Sequence, residues 1–529
     1  MKLYYILSLL PCICYMYLKS KKQMHMLQQN WYNDGNRYIN WVISNFKKVF
    51  ILPELLAFLI VFLKSYDFKI IACSFVLIYI ISYIYYSNVV KHEQTKKPLV
   101  YTPRIKRLYT TLTILYILMI LSTFIHYSDV CVYKFYLFFA LMVLLLPFFV
   151  LIANIINRPI EKLVFLHFKR LATTKLNSMT SLKKIAITGS YGKTSCKNAL
   201  NDILNVKYNS FATEKSFNTM NGLMISINNK LDKFTDIFIA EMGAFKRGEI
   251  KEKCDFIRPE YGILTTIGTA HLESFGSREN IQKAKFELID SLPDSGIAVL
   301  NMDDEYQTSY NIKSNCKRVW VSTKNKSADV YAHDIKLSNK GTTFVVTFKD
   351  SKKNVTLETK LLGFHNIYNI IEAVALAYNL GLDTEEIKQG VKRIATIEHR
   401  LELKKYMDIN IIDDAYNSNP VGSSMAVDVL GMMDGKKIIV TPGMIELGEE
   451  QYNYNMEFGR HIAKVCDEVI LVGEEQTKPI LDGLKKEKYP EKKIHILNDV
   501  KDAFPLMRKL SDKVTYVLLE NDLPDIFNE

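Results

Sequence analysis

Apolar positions are distributed unevenly along the 529 residues. Five long apolar runs fall before residue 157, at about 3–18, 49–63, 70–90, 108–126 and 135–156. A spanning helix needs ~20 predominantly apolar residues, with ~17 as the usual minimum. The last three runs meet that length and the first two are short. The pattern predicts a membrane region over 1–157 with about five transmembrane helices. From about residue 180, strand-like runs of four to six apolar residues alternate with helical periodicity, as in KKIAITG, DIFIAEMG, YGILTTIG and GIAVLN. This predicts an α/β domain with a mostly parallel sheet. A second alternation begins near 406, with INIIDDAY, KKIIVTPG, DEVILVG, KKIHIL and VTYVLLE. It reads as a separate, Rossmann-like C-terminal α/β domain. The expected organisation is a membrane region 1–157, a linker 158–180, a central domain 181–400 and a C-terminal domain 401–529.

Charge gives the membrane region an orientation. Segments 19–48 and 91–107 carry six Lys/Arg each, whereas 64–69 carries Lys64 and Lys69, and 127–134 only Lys134. The positive-inside rule puts both basic segments in the cytoplasm. Five spans with an external N-terminus then place everything after 157 there as well. A cleaved signal peptide is the rival for the first run, but no A-x-A-like site follows it. Glu54, in the second run, reads as an interfacial acid. The net charge of +12 suggests nucleic acid or anionic lipid, and the apolar runs favour lipid. The eight cysteines include no CxxC pair, which argues against a disulfide scaffold or zinc site and fits a reducing compartment.

One motif carries chemistry directly. The strand KKIAITG runs into Gly189-Ser190-Tyr191-Gly192-Lys193-Thr194-Ser195 and then a helix. A glycine turn at a helix N-terminus offers backbone N–H groups and a favourable dipole to phosphate. Lys193 would neutralise phosphate charge and the Thr194 hydroxyl would ligate Mg²⁺. The strict phosphate-loop pattern has a glycine where this chain has Ile187.

TGSYGKTS resembles the shortened phosphate loop of the Mur ligase superfamily, ATP-dependent carboxylate–amine ligases of peptidoglycan synthesis and related pathways. Further segments follow in the family's order and resemble most closely its MurF-type branch: SFNTMNG (216–222), AEMGAFKRGEI (240–250), TTIGTAHLESFGSRENIQKAKFELI (265–289), NMDD (301–304), GFHNIYNIIEA (363–373), EHRLE (398–402), DDAYNSNP (413–420) and GMIELGE (443–449). The resemblance implies ATP and Mg²⁺ as cofactors and an acyl-phosphate route to an amide. It assigns Glu241, His271 and Lys285 to metal binding beside Thr194, with Lys285 carbamylated so that it ligates as an anion. Lys193, His271 and Lys285 become the catalytic residues. Asn301, Asn366 and Asn369 are pointed at adenine and ribose, Arg400 at the phosphates and Asp414 at the ribose. Asn218, Thr219, Tyr416, Asn417 and Asn419 fall in substrate-contacting loops.

The chain also departs from that family. A MurF-type enzyme has a soluble N-terminal domain that holds a UDP-sugar, and only about 25 residues separate the last apolar run from KKIAITG. That domain is expected to be missing or replaced by the membrane region. The usual Gly-Asp is Pro442-Gly443, an expected histidine is Asn455, and a lysine-bearing strand end reads LLENDLPD. The resulting expectation is a multi-pass, membrane-anchored ligase with cytoplasmic catalytic domains. It would act on a small-molecule or lipid-linked acid and an amino acid or dipeptide amine, with membrane lipid but no nucleic acid as partner. A poly-γ-glutamate synthase-like ligase is the enzyme alternative, and a nucleotide-driven transporter or signalling protein the alternative from another class.

Overall fold

The uneven apolar pattern separates into two units, Met1–His167 and Phe168–Glu529, in the computed structural model. The structure describes residues 2–30, 32, 37–59, 68–92, 98–126, 132–338, 341–396, 399–415, 419–445 and 447–521.

The first unit is built from helices, the longest being Lys2–Gln29, Phe68–His92, Pro103–His126 and Val132–Leu144, and helix Leu146–Ser178 begins in it and ends past residue 167. Among the described residues, Lys69–Asn88 and Pro103–Ser122 are long and apolar enough to cross a membrane. A third candidate arises if Lys134–Leu144 and Leu146–Ser178, bent by 66°, count as one span. This is fewer than the five runs. The first run lies in a 28-residue helix whose second half is polar, KSKKQMHMLQQ. The second is interrupted by extended backbone at Ile51 (φ −80°, ψ 148°), and residues 60–67 lie outside the described residues. Residues 158–178, expected as a linker, continue the helix that starts at Leu146.

Glu54 differs from its interfacial expectation. It is 1% exposed, and the Lys19 ammonium donates to its two oxygens at 2.7 and 2.8 Å, while the Tyr15 hydroxyl also donates to it. Tyr15 and Lys19 are four residues apart on one helix, so they share a face. A buried carboxylate persists only when paired and hydrogen-bonded, and that shared face supplies both conditions.

In the second unit, nine strands form one sheet: β1 (Lys183–Thr188), β2 (Ser210–Ala212), β3 (Ile237–Glu241), β4 (Tyr261–Leu264), β5 (Ile297–Asn301), β6 (Lys317–Ser322), β7 (Val330–Ser338), β8 (Gly341–Phe348) and β9 (Lys353–Thr359). Their order is β2-β3-β1-β4-β5-β6-β7-β8-β9, parallel up to β7 and antiparallel beyond it. All five residues of β3 are buried, as expected for a strand covered on both faces. Ile185, Ile187, Ile237 and Ile239 pack with Cys196, Leu200 and Ile203 of helix Lys193–Leu204 and with Ile367, Ile370 and Val374 of helix His365–Asn379.

The remaining six strands are β10 (Glu402–Tyr406), β11 (Ile409–Asp414), β12 (Lys436–Thr441), β13 (Glu468–Val472), β14 (Ile494–Leu497) and β15 (Thr515–Glu520). They run in the order β10-β11-β15-β12-β13-β14, all parallel except β10. On this sheet, helices Gln451–Val465 and Glu474–Lys486 touch backbone to backbone. A Cβ on Gly459 would lie 2.2 Å from the Ile480 carbonyl oxygen, and one on Gly483 2.1 Å from that of Met456. Gly483→Ala should therefore force the helices apart and cost about 1–3 kcal/mol. Denaturant unfolding followed through the C-terminal sheet checks this, and an unchanged midpoint would show that the contact yields freely.

Candidate active site

Strand β1 lies between β3 and β4, so the chain order reverses direction at its carboxyl end. That reversal opens the crevice in which parallel α/β sheets bind ligands. Residues 189–192 leave β1 there, and helix Lys193–Leu204 follows. The loop is held from below: Ser190 N donates to the Thr266 carbonyl at 2.6 Å, and the Thr265 hydroxyl to the Tyr191 carbonyl at 2.5 Å. Ile187, the position where a longer loop would have glycine, is fully buried in β1 opposite Glu241, so the shortened loop begins two residues later. Gly192 adopts φ +81°, and a Cβ there would lie 2.2 Å from Asn369 Oδ1. Both constraints restrict the position to glycine. Lys193 Nζ donates to the carbonyls of Gly189 and Ser190 at 2.8 and 3.0 Å, curling over the loop. Burial pushes the pKa of this ammonium down to about 8, opposed by Glu241 and assisted by Arg400.

Glu241 ends β3 beside the loop at 1% exposure. Its Oε1 accepts from the Thr194 hydroxyl at 3.1 Å and from Asn218 Nδ2 at 3.2 Å, and its Oε2 lies 3.2 Å from Lys197 Nζ. A hydroxyl and a carboxylate within hydrogen-bond distance, next to a phosphate loop, form a hard-oxygen donor set suited to Mg²⁺. His271 has left-handed backbone (φ 59°) and its ring lies 4.4 Å from that of Phe245. Among the described residues, no three His, Cys, Asp or Glu side chains gather as a ready-made metal cage. A two-residue oxygen set that relies on phosphate oxygens for the rest is consistent with that.

Lys285, on helix Arg278–Ile289, is 2% exposed with Nζ 5.7 Å from the centre of the Phe275 ring. Burial drives its pKa well down, and the charges of Lys193 and Lys253 push the same way. The neutral amine this favours is the nucleophilic form that reacts with CO₂. The neighbouring Lys283 shows no such burial.

Asn366 and Asn369 are both buried on helix His365–Asn379. Asn369 Nδ2 donates to Asn366 Oδ1 at 3.4 Å, and Asn366 Nδ2 to the Leu362 carbonyl at 2.7 Å, so Asn366 does not cap the helix. Asn301 ends β5 at 4% exposure, with Oδ1 accepting from Asp303 N at 2.9 Å. The positive charge of Arg400 lowers the pKa values of Lys193, Lys197, His365 and Asp414, so it lies within electrostatic reach of both the phosphate loop and the second sheet's entry.

The loop residues divide. Asn218 reaches Glu241, whereas Thr219 caps helix Met220–Asn229 by accepting from Gly222 N at 3.2 Å. Asn419 likewise caps Pro420–Gly431, accepting from Gly422 N at 2.9 Å. Tyr416 and Asn417 lie outside the described residues. Asn455, where a histidine was expected, clamps the 441–445 loop: it accepts from Met444 N at 2.8 Å and donates to the Met444 carbonyl at 2.9 Å. Glu520 accepts from the Ser423 and Thr441 hydroxyls at 2.6 and 2.8 Å.

Two residues of the site were not singled out from the sequence. Lys197 is one, and its spacing of four from Lys193 was the available signal, since it places both on one helical face. His365 is the other. Burial and Arg400 push its pKa down to about 4, so it is neutral near pH 7.

The family models agree with this geometry. Residues 187–377 match the Mur ligase middle domain, and 399–519 the Mur ligase, glutamate ligase domain. The UDP-N-acetylmuramoyl-tripeptide--D-alanyl-D-alanine ligase of Borreliella burgdorferi is 30% identical over 348 residues, covering 64% of this chain and 72% of that protein. The chain belongs to the Mur ligase family. The Escherichia coli ligase of the same name is 31% identical over 294 residues, covering 55% of this chain and 64% of its own length. The chain therefore spans a little under two thirds of that relative. Among solved structures, MurF from Acinetobacter baumannii superposes with a TM-score of 0.61 at 26% identity, covering 68% of this chain and 77% of that one. MurF from Thermotoga maritima in complex with ADP gives 0.60 at 26%, covering 68% and 80%.

Asp414 supplies a test of the site's electrostatics. Burial and the nearby Glu520 raise its pKa from 3.8 to about 7. Between those values the folded state holds a proton that the unfolded state has lost, so this group makes stability fall as pH rises from about 4 to about 7. Asp414→Asn should remove that slope and be the more stable form at pH 7. Thermal unfolding across pH 4–8 measures it, and parallel curves for the two proteins would contradict the assignment.

Proposed function

We propose that this chain is a membrane-attached, MurF-type ligase that uses ATP and Mg²⁺ to join the carboxylate of a cell-envelope precursor to an amine. The observation that carries the reading is the phosphate loop with Thr194 and Glu241 in direct contact at its edge and the suppressed-pKa Lys285 buried within the field of Lys193. The relatives named above favour this branch over a poly-γ-glutamate synthase-like ligase.

In this reading the N–H groups at the start of helix Lys193–Leu204 cradle the phosphates, and Lys193 leaves the Gly189 and Ser190 carbonyls to meet them. Asn366, Asn369 and Asn301 hold the base and ribose through amides that both donate and accept. Asp414 takes the ribose from the second sheet, with Arg400 on the phosphates. Thr194, Glu241, His271 and carbamylated Lys285 would hold Mg²⁺, which supplies neutralisation of charge developing on the phosphoryl group. A carboxylate oxygen of the acid attacks the γ-phosphorus and ADP leaves. The amine then attacks the acyl carbon, phosphate leaves, and the amine proton passes to solvent or base. Phosphoryl transfer needs little beyond positioning and charge, which is the chemistry these side chains offer.

Membrane attachment rests on the apolar stretches Lys69–Asn88 and Pro103–Ser122 and on the bent pair. Three crossings from residue 69 onward place the basic 91–107 segment and all residues after 157 on one side, where ATP is available, and a further crossing between 48 and 69 is required for the basic 19–48 segment to share that side. A cysteine introduced at position 100 should resist membrane-impermeant reagents in intact cells, and labelling there would refute the orientation.

The detergent-purified chain, given ATP, Mg²⁺ and a panel of envelope precursors and amines that includes D-alanyl-D-alanine, should release ADP together with a product of amide mass. Lys193→Ala should lower turnover by about 10²–10³-fold or more while leaving the fold intact. Lys285→Ala should be nearly inactive and regain part of its activity with a small added carboxylate. Near-native turnover in Lys193→Ala would sink the nucleotide assignment.

A further inference from the structure

Lys197 has no part in the reading above, yet it sits at the centre of the site. Its side chain is 1% exposed, and its Nζ is shared between two acceptors. One is Glu241 Oε2 at 3.2 Å, an oxygen with no other hydrogen-bond partner among the described residues. The other is the backbone carbonyl of Lys215. Residue 215 has left-handed backbone (φ 46°) and lies in the 213–219 segment that carries Asn218. That segment is fixed to the same carboxylate by a second route. Asn218 Nδ2 reaches Glu241 Oε1 at 3.2 Å, and the Asn218 carbonyl accepts from Gly243 N at 2.9 Å. A third contact comes from the Thr213 hydroxyl, which accepts from Glu241 N at 3.2 Å.

We propose that Lys197 is a positioning residue: one buried ammonium pins the 213–219 segment to the Glu241 carboxylate and partly neutralises the charge that the carboxylate offers to a divalent cation. The proposal rests on Glu241 as a cation ligand, as argued above, but the pinning itself requires only the contacts in the structure. Two consequences follow with opposite signs. Removing the ammonium frees the Lys215 carbonyl, so the segment loosens. It also leaves Glu241 with uncompensated charge, so the carboxylate attracts a cation more strongly. A lysine that merely filled space would loosen the whole region and weaken cation binding with it.

The test uses the full chain in detergent, as wild type, Lys197→Met and Lys197→Arg. Hydrogen exchange read by mass spectrometry should show amides of 213–219 exchanging about tenfold faster in Lys197→Met. Helix Arg278–Ile289 should be unaffected, and Lys197→Arg should restore most of the protection. In the presence of ADP, the Mg²⁺ concentration giving half-maximal thermal stabilisation should fall several-fold in Lys197→Met. Unchanged exchange in 213–219 would overturn the pinning, and an unchanged or raised Mg²⁺ midpoint would overturn the neutralisation. If Lys197→Met does not fold, Lys197→Gln retains a donor for the Lys215 carbonyl without the charge. It should keep the segment protected and still lower the Mg²⁺ midpoint, and failure of either overturns the corresponding half. Absence of any Mg²⁺ effect in wild type, with normal exchange behaviour, would instead strike at the nucleotide and metal reading.

Discussion

A carboxylate buried to 1% exposure at the end of β3 must be compensated from every side, and Glu241 is. The parallel pairing of β1 with β3 sets Ile187 opposite it, which fixes how far the phosphate loop stands from its side chain. Thr194 comes from the loop's helix, Asn218 from the segment before helix Met220–Asn229, and Lys197 from one turn further along the loop's helix. Two donors thus come from one helix and the third from a separate segment. Loss of the carboxylate would take an acceptor from a buried hydroxyl and a half-buried amide and leave the buried ammonium with the Lys215 carbonyl alone, which costs more than the net worth of the lost bonds. The crevice is thus held in shape by the same charge that gives it a chemical use.

Much of the architecture was legible because short continuous apolar runs alternate with helical periodicity in the last 350 or so residues. The strand runs KKIAIT and IFIAE and the glycine-rich turn between strand and helix are local signals, and the sheet forms where they predict it. The pairing of Asn366 with Asn369 was legible for the same reason, since three residues on a helix share a face. What the pattern could not give is which long-range partner each polar side chain finds. Thr219 and Asn419 sit in loops that resemble substrate-binding segments, yet each spends its side-chain oxygen on a helix N-terminus. Asn455 looked like a lost functional residue and is a backbone clamp.

The N-terminal region shows the limit of composition most clearly. Apolar content alone does not say whether a run is one straight helix or two bent ones. The 66° break near Leu145 and the extended residue at Ile51 decide that. Nor does it say where a lone charge goes. Glu54 read as a group at the water boundary because it lies toward the edge of an apolar run. Its partner Lys19 is 35 residues away and counted as part of a basic surface segment. Two charges that each look exposed in one dimension have buried each other in three.

The curled Lys193 has a consequence for what the crevice admits. Its ammonium is already hydrogen-bonded to the Gly189 and Ser190 carbonyls. An incoming ligand must exchange those bonds for its own. A nucleotide brings a purine, a sugar and a chain of phosphates to offset that exchange. Free inorganic phosphate, abundant in any cell, brings only one anionic group. On the nucleotide reading, the curled lysine thus favours a ligand that makes many simultaneous contacts over one that offers a single phosphate.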